Sequence, residues 1–80
     1  MVTVRYFAAA RAAAGVAQEV VPAAGSRDEL VAALTARHGE RLGAVLRACS
    51  FLVDGVSWRE GTRPVPAGGT VDVLPPFAGG

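Results

Sequence analysis

The chain has 80 residues, 51% of them apolar and 19% charged, with a formal net charge of +1. That size and balance fit one small domain over residues 1–80 and exclude a disordered chain. The near-neutral charge gives no basis for nucleic-acid binding, the single cysteine, Cys49, closes no internal disulfide, and no apolar run is long enough to span a bilayer. The N-terminus alternates rather than forming the apolar block of a secretory signal, so a cytoplasmic location is expected. Alanine and arginine are abundant and lysine is absent, a bias that carries no functional weight.

Val2, Val4 and Tyr6 alternate with Thr3 and Arg5, which predicts a first strand with those three on one face. Ala8–Ala14 reads as a short helical turn closed by Gly15. A second strand, paired with the first like a hairpin, is expected over Ala17–Val21 and ends at Pro22. Ser26 followed by Glu29 is a capping-box signature, and Asp28 and Glu29 suit the positive end of a helix. Leu30, Val31 and Leu34 then recur at helical spacing until Gly39. A second helical stretch from about Glu40 to Ala48 would put Leu42, Val45, Leu46 and Cys49 on one side. Phe51–Val53 reads as a strand, Asp54-Gly55 as a hairpin turn, and Val56–Arg59 as an edge strand. Pro64 and Pro66 exclude a central strand between them. Ala67–Thr70 turns the chain into a final strand, Val71–Leu74. The order predicts an α+β fold: a mixed sheet, one main helix packed across it, and the two terminal strands adjacent in the interior. That is the ubiquitin-like β-grasp layout, here with an extended tail over residues 74–80.

The tail carries the chemistry. Pro75 and Pro76 stop the sheet and favour an extended backbone, and Phe77, Ala78, Gly79 and Gly80 follow. Six residues from Pro75 span at most roughly 20 Å, enough to leave one globule and enter another. The prolines reduce the ordering cost of insertion, and the glycines let a narrow tunnel close on bare backbone. The expected functional group is the Gly80 carboxylate. A carboxylate is a poor electrophile, but transfer to ATP gives an acyl-adenylate with AMP as leaving group. Attack by sulfur then yields a thiocarboxylate; attack by a lysine amine yields an isopeptide.

Other residues have plainer readings. His38 suits the negative end of a helix. Cys49 reads as a buried small hydrophobe. Trp58 is either a core lid or an interface anchor, and Phe77 is an aromatic that needs a partner. Arg37, Arg41 and Arg47 read as a solvated face. Gly68-Gly69 leads into no lysine or helix, so it is no phosphate loop, and no metal-ligand spacing is present.

Two segments carry a family resemblance: Val4-Arg5-Tyr6-Phe7-Ala8 with Arg11 and Gly15, and Val71-Asp72-Val73-Leu74-Pro75-Pro76-Phe77-Ala78-Gly79-Gly80. With the helix bearing Leu30 and Leu34, they make the whole chain resemble the MoaD/ThiS sulfur carriers, in particular the small subunit of molybdopterin synthase. The chain departs from the common pattern at Arg11-Ala12, Asp54-Gly55 and Gly68-Gly69-Thr70. The resemblance implies a carrier with no bound cofactor. An E1-like enzyme consumes ATP to adenylate Gly80, and a sulfurtransferase or cysteine desulfurase system supplies sulfur. The large subunit catalyses transfer to cyclic pyranopterin monophosphate within a heterotetramer. Gly79 and Gly80 would carry the group, and Phe7, Arg11, Leu74, Pro75, Pro76 and Phe77 would contact partners. The alternatives are a carrier for another acceptor (thiamin thiazole, cysteine or a thiolated metabolite), a ubiquitin-like modifier, and a β-grasp interaction module with an inert tail.

Overall fold

The computed structural model describes residues 1–59 and 64–76. Its elements are β1 (Val2–Tyr6), α1 (Ala8–Ala14), β2 (Gln18–Val21), α2 (Arg27–His38), α3 (Glu40–Leu46), β3 (Ser50–Val53), β4 (Val56–Ser57) and β5 (Thr70–Leu74). The five strands form one mixed sheet in the order β2-β1-β5-β3-β4. β1 and β5 run parallel at its centre, with Val4 opposite Val71 and Arg5 opposite Asp72. β2 is antiparallel to β1, and β3 is antiparallel to both β5 and β4. This is the ubiquitin-like β-grasp, with the expected pairing of the two terminal strands.

Alternation decides which way the sheet faces. Val2, Val4 and Tyr6 of β1, Val71 and Val73 of β5, and Phe51 of β3 are buried on one side. Leu30 and Leu34 of α2 and Leu42 and Leu46 of α3 close over them. The other side of the sheet carries Thr3, Arg5, Thr70, Asp72 and Leu74 and is left uncovered by the helices.

Local chemistry sets the element ends. Gly15 caps α1 at φ +81, donating its N–H to Arg11 O at 2.9 Å. Ser26 Oγ accepts the Glu29 N–H at 3.1 Å, as the cap signature predicts, but the Glu29 carboxylate reaches Gly25 N rather than Ser26 N. Gly39, at φ +100, ends α2 and begins α3 at a sharp corner that a side chain would strain. Asp54 and Gly55 take φ +48 and +85, the two positive values that a tight hairpin requires. β4 is shorter than expected, ending at Ser57; beyond it the Trp58 N–H bonds Phe51 O at 2.8 Å, and the Trp58 ring packs edge-on to Phe51. Trp58 is therefore a core residue rather than an interface anchor.

Candidate functional site

β5 delivers the tail. Its neighbours β1 and β3 hold it from both sides as far as Leu74, which pairs with Ser50. Leu74 belongs to the strand, as the Val71–Leu74 reading expects, and the segment that leaves the sheet starts at Pro75. Leu74 and Pro75 are half-buried and Pro76 is exposed. Phe77, Gly79 and Gly80 lie outside the described residues.

Phe7 sits beside that root. Its N–H donates to Val73 O at 3.3 Å, prolonging the β1–β5 ladder by one step, and its carbonyl accepts the Ala10 N–H at 3.1 Å to start α1. Phe7 is 37% exposed. The next residue, Ala8, has φ +49, a left-handed conformation that L-residues adopt at a cost. The chain accepts it where β1 must turn abruptly into α1. Arg11 lies one helical turn on, exposed, with no ion pair among the described residues. Arg5, Phe7, Ala8, Arg11 and Gln18 border a shallow depression of about 270 Å³. The structure thus gathers Phe7, Arg11, Leu74, Pro75 and Pro76 at one end of the sheet. Its apolar part is Phe7, Leu74 and the prolines.

The centre of the open face is an ion pair absent from the sequence reading. Arg5 donates from Nε and Nη2 to the two Asp72 oxygens at 2.6 and 2.9 Å. The Asp72 hydrogen bond, then its charge, raises the Arg5 pKa further above its ordinary value. The Arg5 guanidinium also lies 5.7 Å from the Phe7 ring centroid.

A second cluster was also missed, on the helix side. Glu19 of β2 accepts from Tyr6 Oη at 2.6 Å and from Arg37 Nε at 2.7 Å, and it is bonded to His38 Nε2. Burial pushes the Glu19 carboxyl up, but the Tyr6 and His38 hydrogen bonds and the charges of His38 and Arg37 outweigh it and hold the group below its usual range. Burial, then the Glu19 hydrogen bond and charge, drives the Tyr6 phenol well above its usual value. His38 thus has a carboxylate partner beyond the helix end that the sequence suggested. Arg37 is engaged at the β2–α2 junction instead of lying on a purely solvated face, and Arg47 reaches Glu40 at 3.4 Å. The cluster joins β1, β2 and α2 through one shielded carboxylate, which makes it a structural tie.

Cys49 is buried, as expected of a small hydrophobe, with Sγ donating to Val45 O at 3.1 Å. Burial raises its thiol pKa, partly opposed by Arg27, the cation nearest in effect rather than Arg47. Arg27 itself bonds Cys49 O at 3.1 Å and stacks over Phe51. Among the described residues no group of three His, Cys, Asp or Glu could hold a metal, and no helix is long and apolar enough to cross a membrane. Gly68 and Gly69 have a backbone role: Gly68 N–H bonds Met1 O at 2.8 Å, Thr3 N–H bonds Gly69 O at 3.0 Å, and a Cβ on Gly69 would come within 2.9 Å of Pro66 O.

The fold has solved counterparts. A protein from Pyrococcus furiosus assigned as molybdopterin converting factor, subunit 1, is 30% identical, with TM-score 0.72 over 95% of this chain and 97% of its own. Small archaeal modifier protein 1 from Haloferax volcanii aligns with TM-score 0.79 at 22% identity, covering 99% of this chain and 98% of its own. The modifier of the same name from Methanosarcina acetivorans aligns with TM-score 0.78 at 20% identity, covering 99% and 95%. No curated protein matches the chain in sequence. The ThiS family profile matches residues 4–80, so the tail segment falls within the match together with the β-grasp body: the chain belongs to the ThiS family.

Proposed function

We propose that this ThiS-family β-grasp protein is the sulfur carrier of molybdopterin synthesis. In this reading an E1-like enzyme adenylates the Gly80 carboxylate with ATP, and a sulfurtransferase or cysteine desulfurase system converts it to a thiocarboxylate. The carrier then docks on the large subunit of molybdopterin synthase and gives its sulfur to cyclic pyranopterin monophosphate. The carrier contributes the acyl group, and its partners supply the catalysis. We place the cycle in the cytoplasm, with two carriers and two large subunits in the working assembly.

The observation that carries the reading is the position of the tail root. β5 is fixed at the centre of the sheet, and Pro75 and Pro76 leave it next to the exposed Phe7 ring. This supports a docking surface at the root of the segment that would end in the transferable group. The 30% identity with the Pyrococcus furiosus protein supports the choice of molybdopterin among sulfur acceptors. Gly79 and Gly80 carry the group, and Phe7, Arg11, Leu74, Pro75, Pro76 and Phe77 make the partner contacts.

The test is intact mass spectrometry after incubation with the adenylating enzyme, ATP and a sulfur source. Replacement of one oxygen by sulfur adds about 16 Da at the C-terminus. An unchanged mass under every such condition refutes the reading. Isopeptide-linked conjugates in lysate, without any thiocarboxylate, would instead assign a protein modifier. Since the chain contains no lysine, such conjugates would mark other proteins rather than lysines of a second copy.

A further inference from the structure

Phe7 is the exposed aromatic among the described residues, and an unsupported exposed ring samples several rotamers. Here it has a support. Arg5 and Phe7 are two residues apart, on the same side of β1 and its one-step continuation. Asp72 is the direct register partner of Arg5 on β5. Its two oxygens take the Nε and Nη2 donors in a fork, which fixes the plane of the guanidinium as a single hydrogen bond would not. The guanidinium carbon then stands 5.7 Å from the Phe7 centroid. Asp72 is mostly shielded while Arg5 is half-exposed, so the carboxylate is the fixed end of the row and the cation the outer end. An ion pair this exposed adds little to fold stability. Its geometry instead bears on the ring it faces.

We propose that Arg5 and Asp72 are positioning residues, in which the Asp72 carboxylate locks the Arg5 guanidinium and the guanidinium holds the Phe7 ring as a preset anchor beside the tail root. This rests on the sulfur-carrier reading and specifies its docking surface. A preset ring lowers the ordering cost of docking. The pair presents no net charge, so the part of the complementary surface that meets it is an apolar recess for the ring, with the exposed Arg11 at its margin. The partner is the protein that receives the tail, since the chain leaves the sheet at Pro75, at the same end.

The experiment uses the full chain with the variants Asp72→Asn, Arg5→Met, Phe7→Leu, the double variant Asp72→Asn/Phe7→Leu, and the charge exchange Arg5→Asp/Asp72→Arg. NMR reads the Arg5 side-chain protons, which the Phe7 ring current displaces in the wild type, and the order of the Phe7 side chain. Asp72→Asn and Arg5→Met should lower Phe7 order, and Asp72→Asn should also move the Arg5 protons toward unstructured values. Docking is measured with the molybdopterin synthase large subunit as probe. Both single variants should weaken it by about two- to fivefold, with melting temperature moved by no more than about 2 °C. In the Phe7→Leu background, Asp72→Asn should cost nothing further. The charge exchange re-forms an ion pair but moves the cation one strand from Phe7, so docking should stay weak.

Unchanged Arg5 protons and Phe7 order in Asp72→Asn overturn the proposal. So does equal weakening by Asp72→Asn with and without Phe7, which would make Asp72 a direct partner contact. If the wild type neither docks nor acquires the thiocarboxylate, the functional reading fails. The NMR comparison then still decides whether the pair positions the ring.

Discussion

Replacing Glu19 with alanine tests the tie between β2, β1 and the end of α2. The Glu19 side chain is 12% exposed and accepts from Tyr6, Arg37 and His38. Hydrogen bonds to a charged acceptor contribute about 1.5–3 kcal/mol each, less when they share one acceptor and relax together. The half-exposed Arg37 adds at most about 1 kcal/mol. The buried Tyr6 hydroxyl would also lose its acceptor, at a cost of about 1–3 kcal/mol. These overlapping contributions predict a net loss of about 3 kcal/mol, from a total stability of roughly 4–12 kcal/mol for a chain of this length. The melting temperature should fall by about 12–24 °C, read by circular dichroism at pH 7. Glu19→Gln keeps an acceptor for Tyr6 and should lose about half as much.

The pH dependence has a definite sign. The folded Glu19 pKa is held below its unfolded value of about 4.3. The stabilisation is therefore complete above that value and is lost as the pH falls through the lowered folded one. The gap between wild type and Glu19→Ala should be wide at pH 7 and narrower at pH 3. At the other end, Tyr6 resists ionisation in the fold, so stability should decline as the pH rises above about 10. A Glu19→Ala protein melting within about 3 °C of the wild type at pH 7 would refute the reasoning.

Three further outcomes are expected. Gly43→Ala would push a Cβ to 2.8 Å from Thr35 Cγ2 between α2 and α3, costing about 1–3 kcal/mol in urea unfolding. Ser26→Ala removes the side-chain acceptor for Glu29 N–H and should cost about 1 kcal/mol by the same measurement. Cys49 is buried with a raised thiol pKa, so iodoacetamide should label it at a rate that rises with urea and follows global unfolding. Fast labelling of the native protein would contradict its placement.

Much of the scaffold was legible because its signals are local. The Val2-Val4-Tyr6 alternation, the Ser26 cap, Gly15 and Asp54-Gly55 each act within a few residues, and each produced the element it predicted. The ion pairs were not legible in the same way. Arg5 and Asp72 are 67 positions apart, and Glu19 and His38 are 19 apart, so only the sheet register and the α2 packing angle bring them together. Arg37 looked like surface because its own helix gives no hint of Glu19 across the junction. Trp58 stayed ambiguous for a related reason: a short edge strand can send its next side chain either way, and contact with Phe51 decides it. For the candidate site, Phe7 and the proline root could be read from the motifs, whereas the support beneath Phe7 needed the fold.

The central place of β5 has a mechanical consequence. A partner that tugs on the segment beyond Leu74 pulls along a strand gripped on both flanks by β1 and β3. The load then runs parallel to the strand and is shared by many backbone bonds at once, instead of peeling them off singly as at a sheet margin. The body can therefore keep its shape while the segment beyond Leu74 is under tension.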